Sequence, residues 1–233
     1  MRDPHGFRPL VLGKKDQAYI LASESCALDL LGAKFIRDIK PGELVSITKE
    51  DYESNSLPIE PKPRYCAFES IYFSRPDSIL ETKTVYDYRK DMGKVLAKEN
   101  PVEADLVIAV PDSGVPAALG YSEESGLPLE LGLVRNHYVG RTFIEPTQQI
   151  RDFSVKLKLN PVSSALSGKK VVVIDDSLVR GTTSTKIIRM LKDAGTKEIH
   201  MRISSPPITH SCHYGVSTPT RDNLLAAQKS ISQ

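Results

Sequence analysis

Cysteine is scarce in this chain: three residues in 233, an odd number that leaves at least one thiol outside any intramolecular disulfide. That scarcity excludes a disulfide-stapled miniature fold and points to a reducing, cytoplasmic setting. Charge of one sign is equally lacking. Lys and Arg total 31 against 29 Asp and Glu, a formal net charge of +2. No polybasic footprint marks a nucleic-acid or membrane surface, so an anion must be caught by local geometry. Long apolar runs are absent too: Leu106–Val110 and Val171–Ile174 are the clearest, far too short to span a bilayer. The opening Met1-Arg2-Asp3-Pro4-His5-Gly6 lacks a basic-then-apolar signal layout. With 40% hydrophobic and 26% charged residues, the composition is neither collagen-like nor that of a disordered polyelectrolyte.

What is present reads as alternating strands and helices. Tyr19–Ala22 is a short strand. Ser23-Glu24-Ser25 starts a helix through Ala27, Leu28, Leu30 and Leu31, closed by Gly32. Leu44–Ile47 is a second strand, after the turn Lys40-Pro41-Gly42. Pro58, Pro61 and Pro63 then mark residues 55–63 as a linker. Val85, Tyr88, Met92 and Val95 recur at helical spacing. Leu106–Val110 is a buried strand, Pro111-Asp112-Ser113-Gly114 a turn, and Pro116 suits the first turn of a helix. Leu129–Val134 is a further strand, followed by a long polar stretch from Arg135 to Lys158. Val171–Ile174 is buried strand. Ile187, Ile188, Leu191 and Ala194 form a helix face ended by Gly195, and Ile199, Met201 and Ile203 alternate as the last strand. The repeat of strand, loop and helix predicts an α/β sheet with mostly parallel strands.

The densest chemistry lies in Val171-Val172-Val173-Ile174-Asp175-Asp176-Ser177-Leu178-Val179-Arg180-Gly181-Thr182-Thr183-Ser184. A hydrophobic strand delivers two adjacent carboxylates to its carboxyl end, and a loop of small hydroxyl residues opens a helix. In open α/β sheets that crevice binds ligands. Loop amides and the Thr182 and Thr183 hydroxyls can surround a phosphate, whose charge the helix N-terminus favours. Adjacent Asp side chains suit sugar hydroxyls or a metal approached from two sides. The Asp-Asp pair taken alone also reads as an acidic helix cap.

This stretch resembles the phosphoribosyl pyrophosphate motif of type I phosphoribosyltransferases. Val134-Arg135-Asn136-His137-Tyr138-Val139-Gly140-Arg141-Thr142-Phe143-Ile144 is similar to the active-site loop of glutamine phosphoribosylpyrophosphate amidotransferases. So are Arg2-Asp3-Pro4-His5-Gly6, Tyr72-Phe73-Ser74-Arg75-Pro76-Asp77-Ser78 and Val110-Pro111-Asp112-Ser113-Gly114, in that family's order. The resemblance implies a type I phosphoribosyltransferase fold over residues 59–233. Residues 1–58 then resemble the last part of an N-terminal-nucleophile α+β glutaminase domain. The implied reaction is displacement of pyrophosphate from C1 of phosphoribosyl pyrophosphate by glutamine-derived ammonia, giving 5-phosphoribosylamine, the first step of purine synthesis.

By the same resemblance, Asp175 and Asp176 hold the ribose hydroxyls and a Mg²⁺ site, with Ser113 as a third candidate. Residues Ser177, Leu178, Val179, Arg180, Gly181, Thr182 and Thr183 bind the 5-phosphate. Arg141, Lys158 and Tyr138 serve pyrophosphate and catalysis, Tyr138 and Arg141 on the loop from Arg135 to Ile144 that closes over the substrate. The family often has Arg where this chain has His137. A four-thiolate [4Fe-4S] cluster is implied for the intact protein. Cys66 and Cys212 match two ligand positions, but no Cys-x-x-Cys supplies the other two, so no cluster is expected on this chain. Cys26 reads as core filling. His5, His200, His210 and His213 make no convincing zinc spacing with cysteine. No cysteine precedes Cys26 to act as the glutaminase nucleophile, so glutamine hydrolysis is expected to be absent and the chain to be truncated at both ends. Purine nucleotides are the expected feedback inhibitors and a homo-oligomer the expected assembly. Nucleic acid and membrane are not expected partners. A salvage or pyrimidine phosphoribosyltransferase, or a non-enzymatic regulator binding phosphoribosyl pyrophosphate, remain alternatives.

Overall fold

The structure is a computed structural model describing residues 1–136, 158–218 and 220–230. The segment 137–157, Pro219 and residues 231–233 lie outside the described residues. The chain divides into two compact units, Met1–Tyr88 and Arg89–Gln233. The sequence boundary at 58/59 falls inside the first of them.

In the first unit, β1 (Val11–Lys15), β2 (Ala18–Ala22) and β3 (Lys34–Asp38) form an antiparallel sheet in the order β2-β1-β3. Helix α1 (Ser25–Leu31) packs on it through Leu28 against Val11 and Ala33, with Ile20 and Ala22 beside them. The fit is tight at Gly13, where a Cβ would come within 2.7 Å of a Leu28 methyl. Gly32 ends α1 as the sequence predicts, in the left-handed region at φ 63°, its N–H bonded to the Asp29 carbonyl.

Strand β4 (Glu43–Ile47) pairs with β5 (Tyr52–Ser56), which the sequence reading did not foresee. Residues 55 and 56, expected in the linker, belong to that hairpin: β5 is polar throughout and carries no alternating apolar signal. The rest of the expected linker and the residues just after it are also bonded to the chain's start and to the turn before β4, the Leu57 N–H to the Gly42 carbonyl among them. The N–H groups of Lys62, Arg64 and Cys66 bond to the carbonyls of Pro4, His5 and Phe7. A single π-helical turn spans Glu69–Phe73, and β6 (Ile79–Leu80) and β7 (Lys83–Thr84) make a short hairpin.

Helix α2 (Val85–Glu99) is started by Thr84, whose Oγ1 accepts the Asp87 N–H at 3.1 Å and donates to the Asp87 carboxylate at 2.5 Å. In the second unit β8 (Leu106–Ala109), β11 (Lys170–Asp175) and β12 (Glu198–Ile203) form a parallel sheet in the order β12-β11-β8. They are linked by α3 (Val115–Ser125), the antiparallel ribbon β9 (Leu133–Arg135) and β10 (Leu159–Pro161), the short α4 (Ser163–Leu166) and α5 (Thr182–Asp193).

Sequence and structure differ at 129–134. Leu129 makes a single parallel bridge to Val107, on the far side of β8 from β11. The chain then turns at Gly132, where a Cβ would stand 2.5 Å from an Ile108 methyl, and starts β9. One apolar run thus serves two pairings.

Val171, Val172, Val173 and Ile174 are wholly buried because helices cover both faces of β11. Val171 and Val173 pack with Ile187 and Leu191 of α5; Val172 and Ile174 pack with Ala117, Ala118 and Tyr121 of α3. Helices α2 and α3 meet with almost no space between backbones. A Cβ on Gly93 would sit 1.9 Å from the Ala117 carbonyl oxygen, and one on Gly120 1.8 Å from that of Lys90. Ion pairs Lys90–Glu123 (2.5 Å) and Lys94–Glu123 (3.2 Å) flank the crossing.

Candidate functional site

The parallel sheet sets the location. From β8 the chain crosses through α3 to Leu129 on one side of β8, and later returns as β11 on the other side. The carboxyl ends of β8 and β11 therefore face a crevice where the winding direction reverses, the place where ligands bind in open α/β sheets. The turn 111–114 leaves the end of β8; Asp175, Asp176 and the loop to α5 leave the end of β11.

The two ends are joined. The Val110 N–H donates to the Ile174 carbonyl at 2.8 Å. Gly114 lies so close to β11 that a Cβ would be 2.5 Å from the same oxygen. The Ser113 hydroxyl donates to Asp176 Oδ1 at 2.6 Å, and the Ser177 hydroxyl to Asp176 Oδ2 at 2.6 Å. Asp176 N–H donates to Asp175 Oδ1 at 2.9 Å. Both carboxyls are nearly shut from solvent, 7% and 6% exposed. Burial, and then the neighbouring Asp176 charge, push the Asp175 carboxyl up to about 8. The peptide between Pro111 and Asp112 is cis.

Beyond Asp176 the loop reaches Gly181, in the left-handed region at φ 76°, and α5 begins at Thr182 with no side chain capping its N-terminus. Thr182 and Thr183 are exposed. Uncapped first-turn amides and two accessible hydroxyls suit an anion. The segment Ser177–Thr183 thus lies at the strand-to-helix turn that the sequence predicts.

Three features escaped the sequence reading. Ser204 and Ser205 continue the β11–β12 ladder, their N–H groups donating to the Asp175 and Asp176 carbonyls at 3.0 Å each. These bonds hold the backbone under both carboxylates. Arg135, at the end of β9, pairs with Asp112 of the β8 turn, joining the end of β9 to the crevice. Leu225, in the short α6 (Leu225–Gln228), donates its N–H to the Val179 carbonyl at 2.9 Å. All three join residues far apart in the chain, so no local pattern marks them.

Lys158 accepts the Asn136 N–H through its backbone carbonyl at 2.8 Å, at the foot of the same ribbon. Tyr138 and Arg141, with His137, lie outside the described residues. Cys66 belongs to the first unit and Cys212 to the second. Cys66 Sγ stands 3.7 Å from Arg8 Nη1, and Cys212 Sγ accepts the Tyr214 N–H at 3.2 Å. Cys26 is a partly buried free thiol whose pKa burial raises. His5 Nδ1 lies 2.9 Å from the Lys62 carbonyl, and His210 Nδ1 the same distance from the Thr209 hydroxyl.

Among the described residues no group of three or more His, Cys, Asp or Glu side chains is placed to hold a metal ion. The three cysteines of the chain are fewer than the four thiolates a [4Fe-4S] cluster takes. A hydrated Mg²⁺ does fit: it needs one or two carboxylate oxygens and takes its other ligands from water and a phosphorylated substrate. Two buried, adjacent carboxyls offer such oxygens, and a cation there would offset both the burial and the neighbouring Asp176 charge that raise Asp175. No helix of the described residues is long and apolar enough to cross a membrane.

Comparison with known proteins agrees with this geometry. The chain is 52% identical over 236 residues to the amidophosphoribosyltransferase of Synechocystis sp., covering 100% of this chain and 48% of that protein. It is 56% identical over 234 residues to the chloroplastic amidophosphoribosyltransferase of Glycine max, covering 100% and 41%. The amidophosphoribosyltransferase of Archaeoglobus fulgidus is 52% identical over 232 residues, with 100% and 51% covered. The chain thus spans about half the length of the curated relatives it matches. A solved structure of glutamine phosphoribosylpyrophosphate amidotransferase from B. subtilis, complexed with ADP and GMP, superimposes with a TM-score of 0.90 at 49% identity. It covers 99% of this chain and 50% of that one. Residues 81–204 match the phosphoribosyl transferase domain. With its parallel sheet, its crevice between β8 and β11 and more than half its length in that match, the chain belongs to the phosphoribosyl transferase domain family, of the type I fold.

Proposed function

We propose that this chain carries the phosphoribosyl-transferring part of an amidophosphoribosyltransferase. Ammonia attacks C1 of phosphoribosyl pyrophosphate, the C1–O bond to pyrophosphate breaks, and 5-phosphoribosylamine is left after the attacking nitrogen loses a proton. The observation that carries the reading is the Ser113–Asp176 bond, which gathers the β8 turn, the Asp pair and the phosphate loop into one crevice. Asp175 and Asp176 would hold the ribose hydroxyls and, with Ser113, the metal side of the site. Ser177 to Thr183 would take the 5-phosphate. Arg141, Lys158 and Tyr138 would meet pyrophosphate; the Arg135–Asp112 pair, which joins the end of β9 to the crevice, supports this. Bound Mg²⁺ would supply charge neutralisation of the leaving pyrophosphate. The chain's own share is positioning: burial and four hydrogen bonds to the Asp175–Asp176 segment from Ser113, Ser177, Ser204 and Ser205 fix the acceptors before substrate arrives.

The remaining assignments extend the same proposal. Residues 1–58 would be the end of a glutaminase domain, with 59–233 the transferase domain; the match of residues 81–204 to the phosphoribosyl transferase domain supports the second assignment. Purine nucleotides would act as inhibitors, supported by the ADP and GMP complex of the B. subtilis relative. A homo-oligomer and a cytoplasmic setting complete the reading, although plant relatives are named chloroplastic.

The test is Mg²⁺-dependent binding of phosphoribosyl pyrophosphate by the chain, paired with an ammonia-dependent transfer assay on the full-length protein. Replacing Asp175→Asn and Asp176→Asn together should abolish transfer from both ammonia and glutamine. Near-wild-type ammonia-dependent transfer in the double variant would refute the site. Tight binding with no transfer in the full-length protein would favour a regulator.

A further inference from the structure

We propose that Leu225 is a positioning residue for the anion-binding loop 177–183, acting from a distant part of the chain. The inference rests on the reading that this loop takes the 5-phosphate. The Leu225 N–H is bonded to the Val179 carbonyl at 2.9 Å. The C=O and N–H of one trans peptide point in opposite directions. Engaging the Val179 oxygen therefore fixes the direction of the Arg180 N–H on the other side of that peptide plane. It also keeps the carbonyl from turning its negative end toward a bound anion.

The side chain acts at the next residue. Leu225 Cδ2 lies 3.3 Å from where a Cβ on Gly181 would stand, so the side chain lies against the loop one residue before α5 begins. Gly181 holds a left-handed φ of 76° with no side chain of its own to brace it. The brace is itself anchored. Leu224 is completely buried, its N–H bonds to the Arg221 carbonyl at 3.0 Å, and the Lys229 N–H closes α6 on the Leu225 carbonyl at 3.0 Å. The loop's shape is thus borrowed from residues 221–229 and is not set by its own sequence alone.

Calorimetric titration of the 233-residue chain with ribose 5-phosphate, and separately with Mg²⁺ and inorganic pyrophosphate, tests the proposal. Leu225→Pro removes the N–H at the first residue of a helix, where proline is tolerated, and Leu224 already holds the extended φ −88°, ψ 121° that a following proline requires. Leu225→Ala keeps the N–H and removes the contact on Gly181. Ribose 5-phosphate affinity should fall about tenfold in Leu225→Pro and about threefold in Leu225→Ala. Affinity for pyrophosphate should stay unchanged in both, a split that general destabilisation would not produce. Equal weakening of both ligands, or a proline variant no weaker than the alanine one, overturns the proposal. Should Leu225→Pro fail to fold, hydrogen exchange at the Leu225 amide of the unaltered chain decides: slowing by saturating ribose 5-phosphate supports the brace, and an unchanged rate overturns it. A wild-type chain that ignores ribose 5-phosphate sinks the phosphate-loop reading together with the brace. Binding without a variant effect sinks the brace alone.

Discussion

The Ser113 hydroxyl and Asp176 Oδ1 lie 2.6 Å apart, linking the turn after one strand to the carboxylate at the end of its parallel neighbour. Asp176 is 6% exposed, and Ser177 holds its other oxygen. The carboxylate is therefore fixed from both sides before any ligand binds. Ser113→Ala should weaken Mg²⁺-dependent binding of phosphoribosyl pyrophosphate roughly tenfold, the scale of one hydrogen bond to a charged acceptor. Calorimetry on the chain measures it, and unchanged affinity would show that Ser113 plays no part in ordering Asp176.

Replacing Lys158→Ala or Arg141→Ala should act on a different part of the substrate. If these residues meet pyrophosphate, either change lowers affinity for Mg²⁺ and inorganic pyrophosphate and leaves ribose 5-phosphate affinity alone. Parallel titrations with the two ligands measure the contrast. Loss of ribose 5-phosphate binding with pyrophosphate unaffected would reverse the assignment.

The α2–α3 crossing makes a stability prediction. Gly120→Ala puts a methyl 1.8 Å from the Lys90 carbonyl oxygen, so the helices must separate. The cost should be about 3 kcal/mol. Gly93→Ala meets the Ala117 carbonyl at 1.9 Å and should cost a similar amount. The double variant should cost clearly less than the two added, because one separation relieves both clashes. Gly126→Ala, at φ 75° with nothing within 4 Å, should cost only the left-handed backbone penalty of about 1 kcal/mol. Denaturant unfolding of the four variants gives the comparison.

Glu43 gives a pH prediction. Its carboxylate accepts from Arg37 Nη1 and Nη2 at 2.9 and 2.6 Å, from the Lys40 N–H at 2.6 Å and from the Ser54 hydroxyl at 2.5 Å. Chiefly the Arg37 guanidinium holds its pKa down at about 2, against an ordinary 4.5. A carboxyl depressed by folding contributes stability that is complete above the unfolded pKa and lost as pH falls through the folded one. Stability of the wild-type chain should thus decline between about pH 4.5 and pH 2, and Glu43→Gln should flatten that decline. Thermal unfolding across this range measures it. Identical slopes for the two proteins would remove Glu43 from the acid transition.

Anaerobic iron and sulfide analysis of the purified chain should find no stoichiometric cluster. Cys66 and Cys212 are two candidate thiolates for a group that takes four, and no three-ligand set is assembled among the described residues. A brown chromophore with stoichiometric iron would mean that ligands are completed in some other way, such as between copies of the chain.

The local units are legible in runs of consecutive residues. Val171–Ile174 is short, β-branched throughout and free of polar alternation, which reads as a strand covered on both faces. Two carboxylates, a glycine and hydroxyl residues then follow in the order that a strand-to-helix turn requires. Those features depend on consecutive residues, and the periodicity of 2 or 3.6 records them directly. Which strands are neighbours, and everything that follows from it, depends on how the chain packs in three dimensions. Ser113 reaches Asp176 because β8 pairs with β11, and Ser204 and Ser205 reach the Asp carbonyls because β12 pairs on the other side. The same holds where the local reading erred. Polar β5 is a strand only because β4 lies beside it, and Leu129–Val134 is divided because β8 pairs with its first residue while β10 pairs with its end. Backbone hydrogen bonds between strands carry no side-chain signature, so a pairing leaves no trace in sequence when the strand is polar or its run is shared.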